Sequence, residues 1–205
     1  TGNDLARSLG LPEGDVVAGT EAVLARLANP RRVDAIKAHS STGQFWFFGT
    51  ASAGFDALCN QRANQMTWPK GPRRYDIAMV LELAKFKPIH YEATIDGEHR
   101  SFDAMLCAVA NGPAFGGGML IAPDAKVDDG HLDLFIVHAM SRLELLKVFP
   151  KVYSGGHVSH PAVEFVRAKS VKLSSGNMPV YSDGESRGHS PLTATVMPGA
   201  LSVFA

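Results

Sequence analysis

The sequence contains little cysteine, and its cysteines do not have a zinc-binding spacing. Cys59 and Cys107 are the two cysteines among the 205 residues, and they lie far apart in the chain. Structural zinc sites use closely spaced pairs such as C-x-x-C, so we do not expect a zinc site. We expect both thiols to be reduced and buried in a cytosolic protein.

The sequence also lacks net charge. Lys and Arg total 20, and Asp and Glu total 20, so the net charge is zero when histidine is neutral. A nucleic-acid-binding surface normally carries an excess of basic residues, so no nucleic-acid partner is expected. Residues 70–74 form the one concentrated basic stretch, and a solvated loop before a helix is its simplest interpretation.

Long apolar runs and the H-E-x-x-H pattern are missing as well. No run approaches the roughly 20 apolar residues that cross a bilayer, and the polar start of the chain is not a signal peptide. We therefore expect a cytoplasmic protein whose membrane contact is peripheral. The eight histidines show no H-E-x-x-H spacing, which disfavours a histidine metal site. The serines at 52 and 154 do not lie in nucleophile elbows, so a serine hydrolase has little support.

Apolar periodicity predicts helices near the start of the chain and β-structure after residue 30. Residues 5–12 and 13–28 have helical spacing, and the N-P pair at 29–30 ends the second helix. Strand periodicity then predicts a hairpin between residues 32 and 48. This change of period predicts a domain boundary near residue 30. A chain of this length can hold one large domain and a fragment of another.

The remainder is predicted to be mainly antiparallel β-structure with several helices. Predicted helices lie at 54–64, 76–87 and 141–153, the last with Ser141 as its N-cap. Predicted strands lie at 90–95, 100–110 and 132–138, with short strands between 163 and 205. The D-G pair at 96–97 favours a type I′ hairpin turn between two of these strands.

The segment D-D-G at 128–130 has two interpretations. A hard cation such as Mg²⁺ prefers carboxylate and carbonyl oxygens, which a tight turn can direct at one point. An ordinary turn, in which Asp bonds its own backbone, explains the same letters, and spacing alone favours it. An EF-hand is excluded, because its regular acidic positions and terminal Glu are absent.

The tripeptide D-G-E occurs twice, at 96–98 and at 183–185. A carboxylate within hydrogen-bond reach of a substrate hydroxyl is suited to act as a general base. The first copy is followed by charged residues, as at an exposed hairpin tip, and the second follows V-Y-S. Because the tripeptide occurs twice, the motif alone does not assign a catalytic role to either copy.

A glycine-rich segment follows the predicted strand at 100–110. Glycines at 112 and at 116–118 would let the backbone approach a phosphate or a lipid head group. The apolar M-L-I at 119–121 does not begin a helix. A flexible connection therefore explains the segment equally well.

Five blocks of sequence, taken in order, resemble the bacterial diacylglycerol kinase and sphingosine kinase-like lipid kinases. The blocks are T-G-N-D-L-A-R at 1–7, G-T-A-S-A-G-F-D-A at 49–57, V-A-N-G with G-G-G at 109–118, A-P-D-A-K-V-D-D-G-H-L-D-L at 122–134, and D-G-E at 183–185. Each block is weak alone, but together they span nearly the whole chain. The resemblance is therefore specific.

The resemblance implies a fold and a division of the chain. These kinases carry an α/β nucleotide-binding domain with a G-G-D-G-T motif before T-G-N-D, and this sequence has no such motif. Residues 31–205 resemble their carboxy-terminal antiparallel β-sandwich domain, and residues 1–30 resemble a short helical remnant of the nucleotide-binding domain. The two opening helices would pack on the missing sheet, and their use in a homo-oligomer is a hypothesis.

The resemblance also implies catalytic and nucleotide-binding residues. Asp183 would be the base that acts on the acceptor hydroxyl, and Glu185 would be a second acid in the same site. Thr1 and Asn3 would contact the nucleotide, which is ATP in this family.

A metal site is implied at the D-D-G turn. Asp129 would lie beside a structural Mg²⁺, with the backbone carbonyls of Lys126 and His131 as its partners. Asp4 and Asp34 would join this charge network through water. The match at Asp34 depends on a single aspartate in a diverged strand.

These implications predict an ATP-dependent lipid kinase, present here as a fragment. It would phosphorylate the hydroxyl of diacylglycerol at a membrane surface and produce phosphatidic acid. ATP would bind through the missing amino-terminal domain, so we expect this chain alone to be inactive. The alternatives are a kinase for another lipid or for NAD, and a non-catalytic lipid-binding or regulatory module.

Overall fold

The computed structural model describes residues 3–71 and 73–205. The helices in this part of the chain are α1 (Asp4–Leu9), α2 (Val16–Arg26), α3 (Phe55–Gln65), α4 (Arg73–Lys85), α5 (Arg142–Val148) and a 3₁₀ helix (Phe149–Ser154). The strands are β1 (Arg31–Ser40), β2 (Gly43–Phe47), β3 (Thr50–Ser52), β4 (Ile89–Ile95), β5 (Glu98–Ala110), β6 (Leu132–His138), β7 (Val163–Ala168), β8 (Ser170–Ser174), β9 (Pro179–Ser182), β10 (Glu185–His189) and β11 (Leu192–Val203). The predicted mainly antiparallel β fold with several helices is confirmed.

Local capping sets several of the helix ends. Ser141 accepts a hydrogen bond from the Glu144 backbone N–H at 3.2 Å, so the predicted N-cap of α5 is confirmed. Asp15 caps α2 in the same way through the Ala18 N–H at 3.0 Å. The predicted helix 141–153 is in fact α5 followed by the 3₁₀ helix, which has Pro150 in its first turn. Proline lacks the N–H that a continuous α-helix would need at this position.

The strands form one antiparallel sheet that branches at β5. Its order is β10-β9-β3-β5-β4-β8-β11-β1-β2, and β6 pairs with both β5 and β7. The first half of β5 pairs with β4 up to Ala104, whereas its last residues pair with β3 and β6. The branch therefore brings β3, the end of β5 and β9 side by side.

The two ends of the sheet meet, so that the sheet is nearly closed. The hairpin between β1 and β2 touches the end of β10, where the Ser41 N–H donates to the His189 carbonyl at 3.1 Å. The His189 N–H in turn donates to Ser41 Oγ at 2.8 Å. This sandwich-like closure joins the two ends of the sheet at the Ser41–His189 contact.

The core has two parts, one on each face of β5. One part lies inside the curved sheet and includes Cys107 and Val109, and the other lies between the sheet and helices α3 to α5 and includes Ala108 and Ala110. A register shift between Ala104 and Leu106 marks a β-bulge in this strand. The alternation of a strand thus supplies both parts of the core, as expected for a strand that is buried on both faces.

The start of the chain joins the sheet at β1. Arg31 pairs with Val203 of β11, one residue after the predicted boundary. The division into residues 1–30 and 31–205 stays a prediction.

In the described part of the chain, none of the helices has the length and apolar character that a membrane crossing requires.

Candidate functional site

The second D-G-E forms the turn between β9 and β10, and its aspartate binds a neighbouring strand. Asp183 adopts a left-handed backbone conformation with φ of 49°, and Gly184 follows with φ of 84°. The Asp183 carboxylate accepts backbone N–H bonds from Phe48 at 3.1 Å, Gly49 at 3.1 Å and Thr50 at 2.9 Å. The turn is thereby fixed to the start of β3.

Glycine is required at position 49 for this contact. A Cβ atom built on Gly49 would lie 2.6 Å from Asp183 Oδ1, well inside van der Waals contact. The G-T-A-S-A-G block and the D-G-E block therefore depend on each other, although they are far apart in the sequence.

Asn111 of the V-A-N-G block holds the same segment from the other side. It is fully buried, and its Nδ2 donates to the Phe48 carbonyl at 2.9 Å. Its backbone N–H donates to the Gly49 carbonyl at 2.8 Å. Residues 48–50 thus lie between Asp183, which binds their N–H groups, and Asn111, which binds their carbonyls.

Asp34 connects the D-D-G turn to the end of β11. It is 1% exposed, and its two carboxylate oxygens accept the N–H groups of Gly130 and Gly199, each at 2.7 Å. A buried carboxylate needs such donors, because an unpaired charge in the interior is very unfavourable. Asp34 thus contacts the D-D-G turn through a direct hydrogen bond, and its predicted place in a water-linked network around Mg²⁺ stays a prediction.

The carboxylates of the D-D-G turn itself bind cationic side chains and backbone N–H groups. Asp129 accepts the His131 N–H at 3.1 Å and pairs with Arg167 at 2.6 Å. Asp128 pairs with Arg31 at 2.7 Å. The Lys126 side chain is exposed. These contacts agree with the interpretation of D-D-G as an ordinary turn that the spacing favoured.

The glycine loop binds the opening helix. Gly117 and Gly118 have positive φ angles of 86° and 99°, and their N–H groups donate to the Asp4 carboxylate at 2.8 Å and 2.7 Å. Arg7 pairs with Asp4 at 2.8 Å. Asp4 thus occupies an anion-binding arrangement of backbone N–H groups.

Thr1 and Asn3 are the residues predicted to contact the nucleotide. Asn3 precedes α1 and has a left-handed conformation with φ of 54°. Thr1 lies outside the described residues. Their contact with nucleotide stays a prediction.

The predicted Mg²⁺ ligands do not fit a preformed metal site. Asp4, Asp34 and Asp129 bind N–H groups and guanidinium groups, which satisfy a carboxylate in place of a cation. Among the residues that the structure describes, no group of three or more His, Cys, Asp or Glu side chains is placed to hold a metal ion. The Mg²⁺ assignment therefore stays a prediction, and no chemical step is derived through it.

A shallow, widely open apolar depression of about 490 Å³, called the cleft below, includes Asp183 in its lining. Its walls come from β1, β2 and β11 and from the residue after β2: Ala35, Trp46, Phe47, Phe48, Ala200 and Leu201. A concave surface with apolar walls and one carboxylate at its edge suits a ligand that has an apolar chain and a hydroxyl group.

Glu185 lies beyond the same turn, at the start of β10. Its side chain is 71% exposed and pairs with Arg187 at 2.7 Å. The letters G-E-S-R-G at 184–188 match the G-x-S-x-G pattern of a nucleophile elbow. That elbow requires a turn from a strand into a helix, whereas this segment enters β10, so the match carries no hydrolase function.

Asp56, in the first turn of α3, is an unusual acid that the sequence analysis did not assign to the site. Burial raises the pKa of Asp56 to about 6, although hydrogen bonds from the Ser52 side chain and the Ala57 backbone lower it. Its Oδ1 atom is buried and lacks a hydrogen-bond partner within the described part of the chain. The sequence places Asp56 in the G-T-A-S-A-G-F-D-A block but carries no local signal of its burial.

With this geometry established, comparison with known proteins identifies the family. A family model described as the YegS C-terminal NAD kinase beta sandwich-like domain matches residues 49–205. The chain belongs to this family. The matched residues include Asn111 and Asp183, which hold residues 48–50 in place, and Gly49, which leaves room for the Asp183 carboxylate.

Similar proteins include curated diacylglycerol kinases. The chain is 37% identical to the diacylglycerol kinase of Mycobacterium tuberculosis, over 100% of the chain and 66% of that protein. It is 26% identical to the diacylglycerol kinase of Bacillus subtilis, over 93% of the chain and 62% of that protein. The chain thus spans less than two thirds of the length of these relatives.

A solved structure shares the fold. A diacylglycerol kinase from Bacillus anthracis superposes with a TM-score of 0.66 at 20% identity, over 100% of this chain and 63% of that chain. The likeness at this identity concerns the fold alone. The family that the five sequence blocks resemble is confirmed.

Proposed function

We propose that this chain is part of an ATP-dependent lipid kinase that phosphorylates the hydroxyl of diacylglycerol and produces phosphatidic acid. The YegS domain and the curated diacylglycerol kinases at 37% and 26% identity support the kinase class. The choice of a lipid as the phosphoryl acceptor rests on the apolar cleft beside Asp183. ATP would bind through the nucleotide-binding domain that the resemblance implies.

The chemistry follows from the position of the D-G-E hairpin at the edge of the cleft. An acyl chain would lie along Trp46 and Leu201, which brings the acceptor hydroxyl to the carboxylates of the hairpin. The hydroxyl oxygen forms a bond to the γ-phosphorus, and the bond from that phosphorus to the bridging oxygen breaks. ADP leaves with the electron pair, and a hairpin carboxylate takes the hydroxyl proton.

A kinase of this class typically uses a divalent cation, such as Mg²⁺, to offset the charge of ATP. The D-D-G turn does not fit that role in its present arrangement. The contribution of this chain is therefore to bind the lipid, orient its hydroxyl and accept a proton. Because diacylglycerol resides in a bilayer and ATP is in the cytoplasm, the enzyme would act as a peripheral protein at the membrane surface.

The test is a phosphorylation assay with the full-length protein, labelled ATP and vesicles that contain diacylglycerol. Leu201→Ala shortens the cleft wall, and we expect it to raise the KM for diacylglycerol about tenfold with an unchanged kcat, since it removes about 1–2 kcal/mol of apolar contact. Leu143→Ala, on α5, is the matched control, because its side chain is 73% exposed. We expect it to leave both constants unchanged.

Three outcomes would contradict the proposal. Phosphorylation of another lipid or of NAD, but not of diacylglycerol, would change the acceptor. Binding to the vesicles without phosphoryl transfer would favour a non-catalytic lipid-binding module. Equal changes in the KM for diacylglycerol in the Leu201 and Leu143 variants would show that the cleft is not part of the acceptor site.

A further inference from the structure

The neighbouring strands β8, β11, β1 and β2 present one face to solvent. Along β1, Ile36 and Ala38 belong to the core inside the sheet, whereas Lys37 and His39 are exposed. The side chains of β11 alternate between buried and exposed in the same way. We call the exposed side chains of these four strands the open face. An antiparallel sheet often has one solvated face, so exposure alone assigns no role to it.

The open face is positively charged, although the chain as a whole has no net charge. Two arginines and two lysines lie in these four strands beside a single acid, Asp34, and Asp34 is 1% exposed. Arg31 pairs with Asp128, which lies outside these strands. Within the described part of the chain, Lys37 and Lys172 form no ion pair. Such a local excess of cations on a neutral protein favours an anionic partner.

The strand register places the two lysines on either side of β11. Lys37 lies opposite Thr195, and Lys172 lies opposite Thr193. Neighbouring strands are about 4.8 Å apart, so the two strands that carry the lysines are about 10 Å apart. Lys37 and both threonines line a second shallow depression, of about 480 Å³. Ammonium and hydroxyl groups donate hydrogen bonds to phosphate oxygens, so this depression suits a phosphate group.

Apolar side chains lie where the second depression meets the cleft beside Asp183. Trp46 lies opposite Lys37 in the register of β1 and β2, and it also lines the cleft. Trp46 is 49% exposed, and Met197 and Leu201 are exposed as well. Tryptophan is enriched at the boundary between the head groups and the hydrocarbon of a bilayer. The open face thus combines cations and an exposed tryptophan with the cleft proposed for the acyl chain.

We propose that the open face is the surface that docks onto an anionic phospholipid bilayer. This inference rests on the kinase function proposed above. The depression beside Lys37 takes the phosphate of a phospholipid head group, Lys172 lies against neighbouring anionic head groups, and Trp46 enters the interface. The cleft then opens toward the bilayer, so that an acyl chain of diacylglycerol reaches it without crossing water.

The helices carry a second surface with exposed apolar and basic side chains, which serves as an internal control. Leu143 and Leu146 of α5 are exposed, and so are Lys147 and the nearby Lys151. This helical surface covers a different part of the sheet, because α3 to α5 enclose the core on the side of Ala108. Composition alone would permit docking through either surface, but only the open face is continuous with the cleft.

Sedimentation of the full-length protein with vesicles tests the role of the charges. The wild type should bind vesicles of phosphatidylcholine and phosphatidylglycerol much more tightly than vesicles of phosphatidylcholine alone. The double variant Lys37→Gln, Lys172→Gln should bind the anionic vesicles about 30-fold more weakly, since each basic residue near an anionic surface contributes about a factor of five. The matched control Lys147→Gln, Lys151→Gln removes the same charge from the helical surface and should bind like the wild type.

Tryptophan fluorescence tests the orientation on the bilayer. The two tryptophans of the chain are Trp46, on the open face, and Trp68, which is 77% exposed in the loop between α3 and α4. Phospholipids with brominated acyl chains quench a tryptophan that enters the interface. This quenching should fall in Trp46→Phe and persist in Trp68→Phe.

Three results would overturn the inference. Weaker vesicle binding by the Lys147, Lys151 variant alone would assign docking to the helical surface. Equal losses in the two double variants would show a general attraction between charges without a docking face. Loss of quenching in Trp68→Phe with no change in Trp46→Phe would contradict the proposed orientation.

The docking surface and the kinase function can fail separately. Phosphorylation of diacylglycerol in neutral detergent micelles tests the kinase function without anionic head groups. Activity in micelles together with no binding to anionic vesicles would refute the docking surface alone. Binding that depends on Lys37 and Lys172, without phosphorylation in either system, would refute the kinase function and support the docking surface.

Discussion

Replacement of the half-buried acid Asp56, whose Oδ1 atom is buried, by asparagine should change how the stability of the protein depends on pH. Burial raises the pKa of Asp56 from an ordinary value of 3.8 to about 6, and the Ser52 hydrogen bond offsets only part of this effect. The folded state therefore binds this proton more tightly than the unfolded state. The stabilisation from the protonated acid is fully present below pH 3.8 and is lost as the pH rises through about 6.

The size of the effect follows from these two pKa values. Each factor of ten in proton affinity is worth about 1.4 kcal/mol, so a rise from 3.8 to about 6 corresponds to about 3 kcal/mol in total. About 2 kcal/mol of this total falls between about pH 4.5 and about pH 7.5, since the unfolded acid is already partly ionised at the lower pH. Asp56→Asn has no proton to lose and should not show this loss.

The assay is urea denaturation of the wild type and Asp56→Asn at several pH values across this range. The difference in unfolding free energy between them should change by about 2 kcal/mol in favour of the variant as the pH rises. Ser52→Ala is the matched control, because it removes a hydrogen bond that lowers the pKa of Asp56. Its stability should fall more steeply with pH than that of the wild type. If the unfolding free energies of the wild type and Asp56→Asn changed in parallel with pH, the pKa of Asp56 would not be raised in the folded state, and the reasoning would be refuted.

Two further predictions concern other acids. Asp34→Ala leaves the Gly130 and Gly199 N–H groups without their acceptor, and we expect it to lower the free energy of unfolding by about 2–4 kcal/mol. The control Asp128→Ala breaks a partly exposed pair with Arg31 and should lower that free energy by less than about 1 kcal/mol. Equal losses for the two variants in urea titrations would contradict the structural role of Asp34. The pKa of Glu164 is lowered mainly by its hydrogen bonds with Arg100, and a hydrogen bond with His138 lowers it further. Burial acts in the opposite direction but does not cancel these effects. The stabilisation is therefore present above the ordinary pKa of 4.5 and disappears as the pH falls through the lowered value. Thermal unfolding of Glu164→Gln should show a deficit at neutral pH that vanishes in acid, and a deficit of constant size would refute this reasoning.

Features that depend on neighbouring residues could be predicted from the sequence. The D-G pair at 96–97 predicts a turn with positive φ, and both residues have it, because few residues other than Gly, Asn and Asp adopt that conformation easily. The same is true of Ser141 as an N-cap. Strand alternation also predicted β1 and β2 as a hairpin.

Features that depend on distant residues could not be predicted in this way. Asp34 binds Gly199, which lies 165 residues later in the chain, and no local pattern specifies such a partner. The burial of Asp56 Oδ1 likewise depends on how α3 packs against the sheet. The repeated D-G-E letters likewise do not show that Asp96 binds the start of β8 and Asp183 the start of β3.

The pairing of β1 with β11 has a consequence for the order of events during protein synthesis. The register runs from Arg31 opposite Val203 to His39 opposite Thr193, so a strand made early needs a partner that is made more than a hundred residues later. Until then, β1 can pair only with β2, and the apolar side chains of Val33 and Ile36 lack their final neighbours. Such long-range pairing slows folding and prolongs the exposure of apolar strands. The nascent chain should therefore depend on chaperones until β11 leaves the ribosome.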